Sequence, residues 1–137
     1  MKTIFEKIVE GEIHSHKIYE DDTFFAFLDI TPKKKGHTLI IPKKPFKNLL
    51  EISGDVSEKY LQVVQKVANA VVLGTKAAGF NLIMNNGEAA GQEVFHVHFH
   101  IIPRYENDTV DLNPGTHEKY SDTKEMEEFK NSIIENL

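Results

Sequence analysis

Phe95-His96-Val97-His98-Phe99-His100-Ile101-Ile102 alternates imidazole with apolar side chains. Successive side chains of a β-strand point to opposite faces, so this run predicts a strand with His96, His98 and His100 on one face and Phe95, Val97, Phe99 and Ile101 on the other. The apolar face makes core. The other face makes a site, because imidazole, with an ordinary pKa of about 6.5, is the side chain best suited to nucleophilic and acid-base work near neutral pH.

Working outward, the strand is expected to run from Glu93 or Val94 to Ile102, ended by Pro103. The loop before it, Asn85-Asn86-Gly87-Glu88-Ala89-Ala90-Gly91-Gln92, is polar, punctuated by glycine and too long for a simple hairpin turn. Asn81 to Met84 reads as the preceding strand. Before it lies the longest helical period, Asp55 to Ala78, with Asp55 and Glu58 as a capping pair, Tyr60, Val64, Val67 and Val71 in one stripe, and Gly79 as the stop. Three more strands are expected: Lys17 to Glu20 and Phe24 to Leu28 about an Asp21-Asp22 turn, and Thr38 to Ile41 stopped by Pro42. Ile4, Phe5, Ile8 and Val9 mark a short N-terminal helix before Gly11. Residues 106 to 116 read as irregular, and Met126, Phe129, Ile133 and Leu137 mark a final amphipathic helix.

These elements predict an α+β fold, a mainly antiparallel five-stranded sheet with one long covering helix and a C-terminal helix. One domain is expected over 1–137, with a core over 1–105 and a tail and helix over 106–137. A chain of 137 residues is of single-domain length. The histidines are expected on the face away from the long helix, since uncompensated imidazoles pack poorly under apolar residues.

Composition narrows the partners. A net charge of −5, with basic clusters no longer than Lys33-Lys34-Lys35, disfavours nucleic acid but leaves room for a small anionic ligand. No apolar stretch approaches the roughly 20 residues of a membrane span. Met1 to Lys7 lacks the apolar core of a signal peptide, so a cytoplasmic protein with no membrane partner is expected. Cysteine is absent, so a metal would have to be held by His, Asp and Glu.

Three histidines at this spacing suit two chemistries. Two of them at i and i+2 can share one zinc. The ends of the run, however, lie about 13 Å apart at roughly 3.3 Å per residue, so a metal site would need another ligand, with His37, Glu93 and His117 as candidates. The other chemistry is phosphoryl or nucleotidyl transfer. In it a neutral imidazole attacks phosphorus, its neighbours hold the non-bridging oxygens, and the loop from Gly87 to Gln92 offers backbone N–H groups, with Gly91 permitting close approach and Gln92 adding an amide.

At these residues the chain resembles the histidine triad (HIT) family of nucleotide hydrolases and transferases, whose motif is His-φ-His-φ-His-φ-φ with φ apolar. His96 to Ile102 matches it throughout. Asn85-Asn86-Gly87, Gly91-Gln92, Ala26 to Ile30 and Gly36 to Lys43 follow the family order, nearest to bacterial Hit-like and Hint-like members. The resemblance implies that His98 is the nucleophile forming a nucleotidyl-histidine intermediate. His100 would hold phosphate oxygens or the leaving group, His96 would orient the site, and His37 would lie beneath. Asp29 would hold the ribose hydroxyls, Ile30, Phe27, Phe5, Ile4 and Ile8 would form the slot for the base, and Asn85, Gly91 and Gln92 would lie on the phosphate side. It further implies an AMP derivative as substrate, no metal or other cofactor, and a homodimer.

Two departures stand out. Many bacterial members carry Cys-x-x-Cys near the N-terminus in a structural zinc site. Thr3 and Glu6 stand at those positions and Pro45 at a further ligand position, so the N-terminal helix is expected to be held by packing of Ile4, Phe5 and Ile8 alone. After Gln92 the family often has Ser or Thr, a hydroxyl donor, where this chain has Glu93. A carboxylate there repels phosphate or pairs with a histidine. Three rival functions follow: cleavage of dinucleoside polyphosphates, with Lys33 to Lys35, Lys43 and Lys44 serving the extra phosphates; regulatory nucleotide binding with vestigial turnover; and metal binding. His14, His16 and His117 are expected on the surface.

Overall fold

Thr3 opens the first helix, α1 (Ile4–Val9), with its side chain accepting from the Glu6 backbone N–H while the Glu6 carboxylate accepts from the Thr3 N–H. This reciprocal capping box corrects the expectation that packing alone holds α1. The computed structural model describes residues 1–113 and 115–137.

The remaining elements are β1 (Lys17–Glu20), β2 (Phe24–Leu28), β3 (Thr38–Pro42), α2 (Gly54–Thr75), β4 (Gly79–Ile83), β5 (Phe99–Arg104) and α3 (Thr123–Ile134). They form one sheet in the order β1-β2-β3-β5-β4, with every neighbouring pair antiparallel. Helix α2 crosses from the middle of the sheet to the β4 edge, and β5 returns between β3 and β4. The α+β reading holds. No helix is long and apolar enough to cross a membrane among the described residues.

Alternation sorts the strands into two faces. Phe24, Ala26, Leu28, Ile40 and Ile101 pack with the α2 stripe Tyr60, Val64, Val67 and Val71. Phe25, Phe27, Leu39 and Ile41 face the other way, where Phe5 of α1 covers them. His100, opposite Leu39 in the β3–β5 register, belongs to this second face, away from α2 as expected.

Several boundaries differ from expectation. Strand β5 begins at Phe99, so of the three triad histidines only His100 is in a strand. The cause is Pro42. Continued pairing would set Val97 opposite Pro42, where proline has no N–H for the Val97 carbonyl and the Pro42 carbonyl is taken by His96 Nε2. The Val97 N–H donates instead to the Phe46 carbonyl at 2.7 Å, and the chain between Gln92 and Phe99 leaves the ladder. At its far end β5 continues through Pro103, beyond the last β3 partner at Ile101, where only β4 lies beside it and proline is tolerated. Strand β4 starts at Gly79, earlier than expected, because α2 stops at Thr75 with Lys76 left-handed at its C-cap. The Asp55/Glu58 capping pair does not form; Ser53 occupies the N-cap without a side-chain bond. Met126 and Ile133 of α3 are buried, but Leu137 lies outside the helix and exposed.

Helix α3 rests on α2 at Gly74. A Cβ built there would lie 2.5 Å from the Ser132 carbonyl oxygen and 2.7 Å from the Ile133 backbone. Backbone cannot yield as a side chain can. Gly to Ala in a helix ordinarily stabilises by about 1 kcal/mol; here Gly74→Ala is expected to destabilise by roughly 1–3 kcal/mol, the usual cost of overpacking, as read by urea denaturation.

Candidate active site

A cavity of about 390 Å³ opens on the second sheet face, lined by His37, His98 and His100 together with Ile4, Phe5, Asp29, Ile30, Asn85, Gly91 and Glu93. A larger, shallower groove of about 580 Å³ lies between the β1–β2 turn and α2. Its Asp and Lys side chains include no activated nucleophile, so the chemistry belongs to the smaller cavity.

The hydrogen bonds fix the imidazole tautomers. His96 has no exposed surface; its Nε2 lies 2.7 Å from the Pro42 carbonyl and its Nδ1 2.8 Å from Thr3 Oγ1. A carbonyl only accepts, so Nε2 carries the proton and Nδ1 offers its lone pair to the hydroxyl. His98 Nδ1 donates to the His96 carbonyl at 2.7 Å, which leaves Nε2 as an unprotonated nitrogen. The Phe5 ring meets the His98 ring edge to face, centroids 5.0 Å apart. His37 Nδ1 accepts from the Lys33 backbone N–H at 3.0 Å, so its proton sits on Nε2 and is donated to His100 Nδ1 at 2.9 Å. His100 is left with Nε2–H as the donor it can offer to a ligand.

Burial keeps these rings neutral. Desolvation pushes His37 down to about 3, helped by the Lys33 cation and His98, and pushes His100 down to about 3, helped by His37 and His98. His96 and His98 are lowered by burial too; for His98 the facing Asp29 and Glu93 carboxylates oppose the shift. A neutral His98 keeps its Nε2 lone pair at physiological pH.

Asp29 holds Thr31 through Oδ1, bonded to the backbone N–H at 2.9 Å and the hydroxyl at 3.1 Å, while Oδ2 lies 3.7 Å from His37 Nε2. Asp29, His37 and His100 bring one ligand atom each within 4.8 Å of one another. The set fits a divalent metal poorly. A metal-bound imidazole normally donates its second N–H outward, whereas the second nitrogen of His37 accepts from a backbone N–H.

Three expected site residues lie elsewhere. Phe27 is buried in the cluster with Phe5 and Phe25, under the cavity floor, and Ile8 packs against the same cluster. Gln92 is buried with its amide fully engaged: Oε1 accepts from the Gly87 N–H at 2.8 Å, and Nε2 donates to the Lys47 and Val94 carbonyls. It braces the loop and offers no group to a ligand. Gly91, left-handed with φ +91°, lines the cavity without a Cβ. Ile4 and Ile30 are exposed at 49% and 72%, apolar residues left open at the cavity mouth.

Conversely, Thr31, Leu39, Val94, Leu112 and Thr116 line the cavity although the sequence did not mark them for it, and so do Lys33 and His117, which it marked only for extra phosphates and for a metal. Leu39 was within reach through its strand register with His100. The tail residues were not, since no periodicity runs through 106–120. They arrive because Lys33 Nζ binds the Asn113 and Thr116 carbonyls, the Glu118 N–H donates to the Pro32 carbonyl at 2.7 Å, and the Gly36 N–H donates to Tyr120 OH at 2.7 Å. His117 is exposed, as expected, and lines the cavity. His16, expected on the surface, is buried with Nδ1 2.9 Å from Glu127 Oε1, while His14 is exposed.

Comparison with known proteins matches residues 10–107 to the HIT domain model. The chain is 42% identical over 135 residues to Protein hit of Bacillus subtilis, covering 98% of this chain and 93% of that one. It is 46% identical over 107 residues to an adenylylsulfatase of Arabidopsis thaliana, covering 78% of this chain and 54% of that protein. A histidine triad nucleotide-binding protein of Sulfolobus tokodaii superposes with a TM-score of 0.86 at 38% identity, covering 96% of this chain and 89% of that one. Sequence, fold and the histidine motif agree, and the chain belongs to the histidine triad family of nucleotide-binding proteins and hydrolases.

Proposed function

We propose that the protein transfers a nucleoside 5′-monophosphate, AMP in the first instance, from a P–N or P–O–P linked leaving group to His98 and then to water. The observation that carries this reading is the His98 tautomer, with Nδ1 held by the His96 carbonyl and Nε2 left as a neutral lone pair on a cavity. Nε2 attacks the α-phosphorus. The bond to the leaving group breaks, and that group departs with the electron pair and takes a proton from solvent. Water then opens the P–Nε2 bond to give AMP and free His98. His100 Nε2–H steadies the non-bridging oxygens, Asn85 and the Gly91 backbone lie on the phosphate side, Asp29 Oδ2 receives the ribose hydroxyls, and Ile4, Phe5 and Ile30 take the base. His96 and His37 act by holding His98 and His100. The scheme needs no metal.

The name of the Arabidopsis relative, an adenylylsulfatase, supports an adenylyl group as the transferred unit. Of the lysines named for the polyphosphate alternative, Lys33 lines the cavity but binds the tail, Lys34 faces Glu118, Lys35 pairs with Glu125, Lys43 pairs with Glu20 and Lys44 lies over the Phe46 ring. Mixing chelator-treated protein with adenosine 5′-phosphoramidate, followed by rapid quench and intact mass, is expected to show an AMP adduct and release of AMP. Absence of both, in a protein that binds AMP, rejects the reading.

Glu93, exposed and lining the cavity, keeps the vestigial-turnover reading in play. Glu93→Ser removes the repulsion and restores a donor. Turnover is expected to rise roughly tenfold, as for one hydrogen bond to a charged group, with AMP affinity little changed. Equal turnover in the two proteins sets the carboxylate aside as a brake.

We also read the protein as a homodimer. Phe80 and Leu82 are exposed on the edge strand β4, with Leu61 and Leu73 exposed on α2. Light scattering giving the monomer mass of 15.6 kDa would reject this.

A further inference from the structure

We infer that Thr3 is a positioning residue for the nucleophile, acting through the His96 ring and carbonyl on His98. The Thr3 hydroxyl oxygen accepts the Glu6 backbone N–H at 3.0 Å, so its proton is turned away from the helix. Directly available to it is His96 Nδ1, at 2.8 Å. The other ring nitrogen is committed to the Pro42 carbonyl. Both ends of a fully buried ring are therefore held, one by the β3 terminus and one by the cap of α1.

That ring fixes the peptide whose carbonyl accepts from His98 Nδ1 at 2.7 Å, the bond that keeps the proton off His98 Nε2. Phe5, two residues after the cap, meets both the His96 and His98 rings edge on, at 5.6 and 5.0 Å. One hydroxyl thus couples the helix that brings Ile4 and Phe5 to the cavity with the residue that orients the nucleophile. Without it, a buried imidazole nitrogen lacks a partner, and the ring gains reason to turn or change tautomer. The same hydroxyl also caps a helix, so the two roles must be separated.

The inference rests on His98 being the nucleophile, and three variants divide the cap from the donor. Thr3→Ser keeps both. Thr3→Asp keeps the cap, since aspartate is a strong N-cap, but cannot donate to His96 Nδ1 and instead draws a proton onto it. Thr3→Val loses both. Each is compared with the parent by the single-turnover rate of AMP-adduct formation, by thermal midpoint, and by histidine ring ¹⁵N–¹H spectra at neutral pH.

Thr3→Ser is expected to transfer within about threefold of the parent. Thr3→Asp, with a thermal midpoint near the parent's, and Thr3→Val are each expected to be at least about tenfold slower, the effect of one hydrogen bond on a rate. His96 should read as neutral with Nε2–H in the parent and Thr3→Ser, and as doubly protonated in Thr3→Asp. Transfer by Thr3→Asp at the parental rate would reduce Thr3 to a helix cap and overturn the inference. If the parent itself forms no adduct, the nucleotidyl-transfer reading has failed. The ring spectra then still decide the structural step: unchanged His96 signals in Thr3→Asp overturn it, and a doubly protonated His96 supports it.

Discussion

His98→Asn is expected to abolish AMP-adduct formation and to slow AMP release by at least about a thousandfold, the scale of removing a covalent nucleophile. The substitution is chosen for what it keeps. Asparagine can still donate an amide N–H to the His96 carbonyl, which accepts from His98 Nδ1 at 2.7 Å, but its nitrogen lone pair is delocalised and cannot attack phosphorus. The cavity contacts of Asp29, Ile4 and Ile30 are untouched, so AMP binding should survive within a few fold. An adduct of the same mass in the variant would move the nucleophile to another residue. Loss of AMP binding together with turnover would show that the variant had disturbed the cavity, and His98→Gln would then carry the test.

Stability should fall steeply between pH 6.5 and 5. The sign follows from proton uptake. In the unfolded chain His37 and His100 take up protons near the ordinary value of about 6.5; in the folded chain burial holds both near 3. Between these values the unfolded state binds more protons, so the stability present above 6.5 is lost as pH falls, at about 1.4 kcal/mol per pH unit for each group. Two such groups predict a loss of roughly 2–3 kcal/mol from pH 6 to 5, and the lowered His96 and His98 act in the same direction. Carboxylates held below their ordinary values, such as Asp108 beside Arg104 and Glu20 beside Lys43, lose their contribution as pH falls further, from about pH 5 downward. Urea denaturation across the range reads the slope. His37→Gln, which cannot titrate, should make it shallower by about one group, and a flat profile in the parent would contradict the buried, neutral imidazoles.

How legible the site was depends on the kind of residue. Asp29, His37, His98 and His100 lie in or beside segments with their own local signal, and they line one cavity. Phe27 is buried in the cluster and Ile8, half-buried, packs against it, and an apolar side chain reads identically in sequence whether it lines a slot or lies beneath it. Gln92 was marked for its amide, yet a buried amide is consumed by the nearest backbone groups, here those of Gly87, Lys47 and Val94. Leu112 carried no signal and His117 only its residue type, since their place depends on carbonyls bound by Lys33 far earlier in the chain.

By itself the sequence determined the α+β class, the five strands and three helices, the α2 stripe and the apolar halves of each strand, because period and turn chemistry are local properties of the chain. It also marked three histidines for one site, of which His98 and His100 line the cavity and His96 is fully buried outside its lining. Only the tertiary structure decided how they meet: Pro42 deprives Val97 of a ladder partner, so His96 and His98 leave the strand and their ring nitrogens are assigned by contacts with Thr3, Pro42 and the His96 carbonyl. A proton on one imidazole nitrogen rather than the other is set by whichever acceptor or donor packing brings within 3 Å. No spacing in the sequence encodes that.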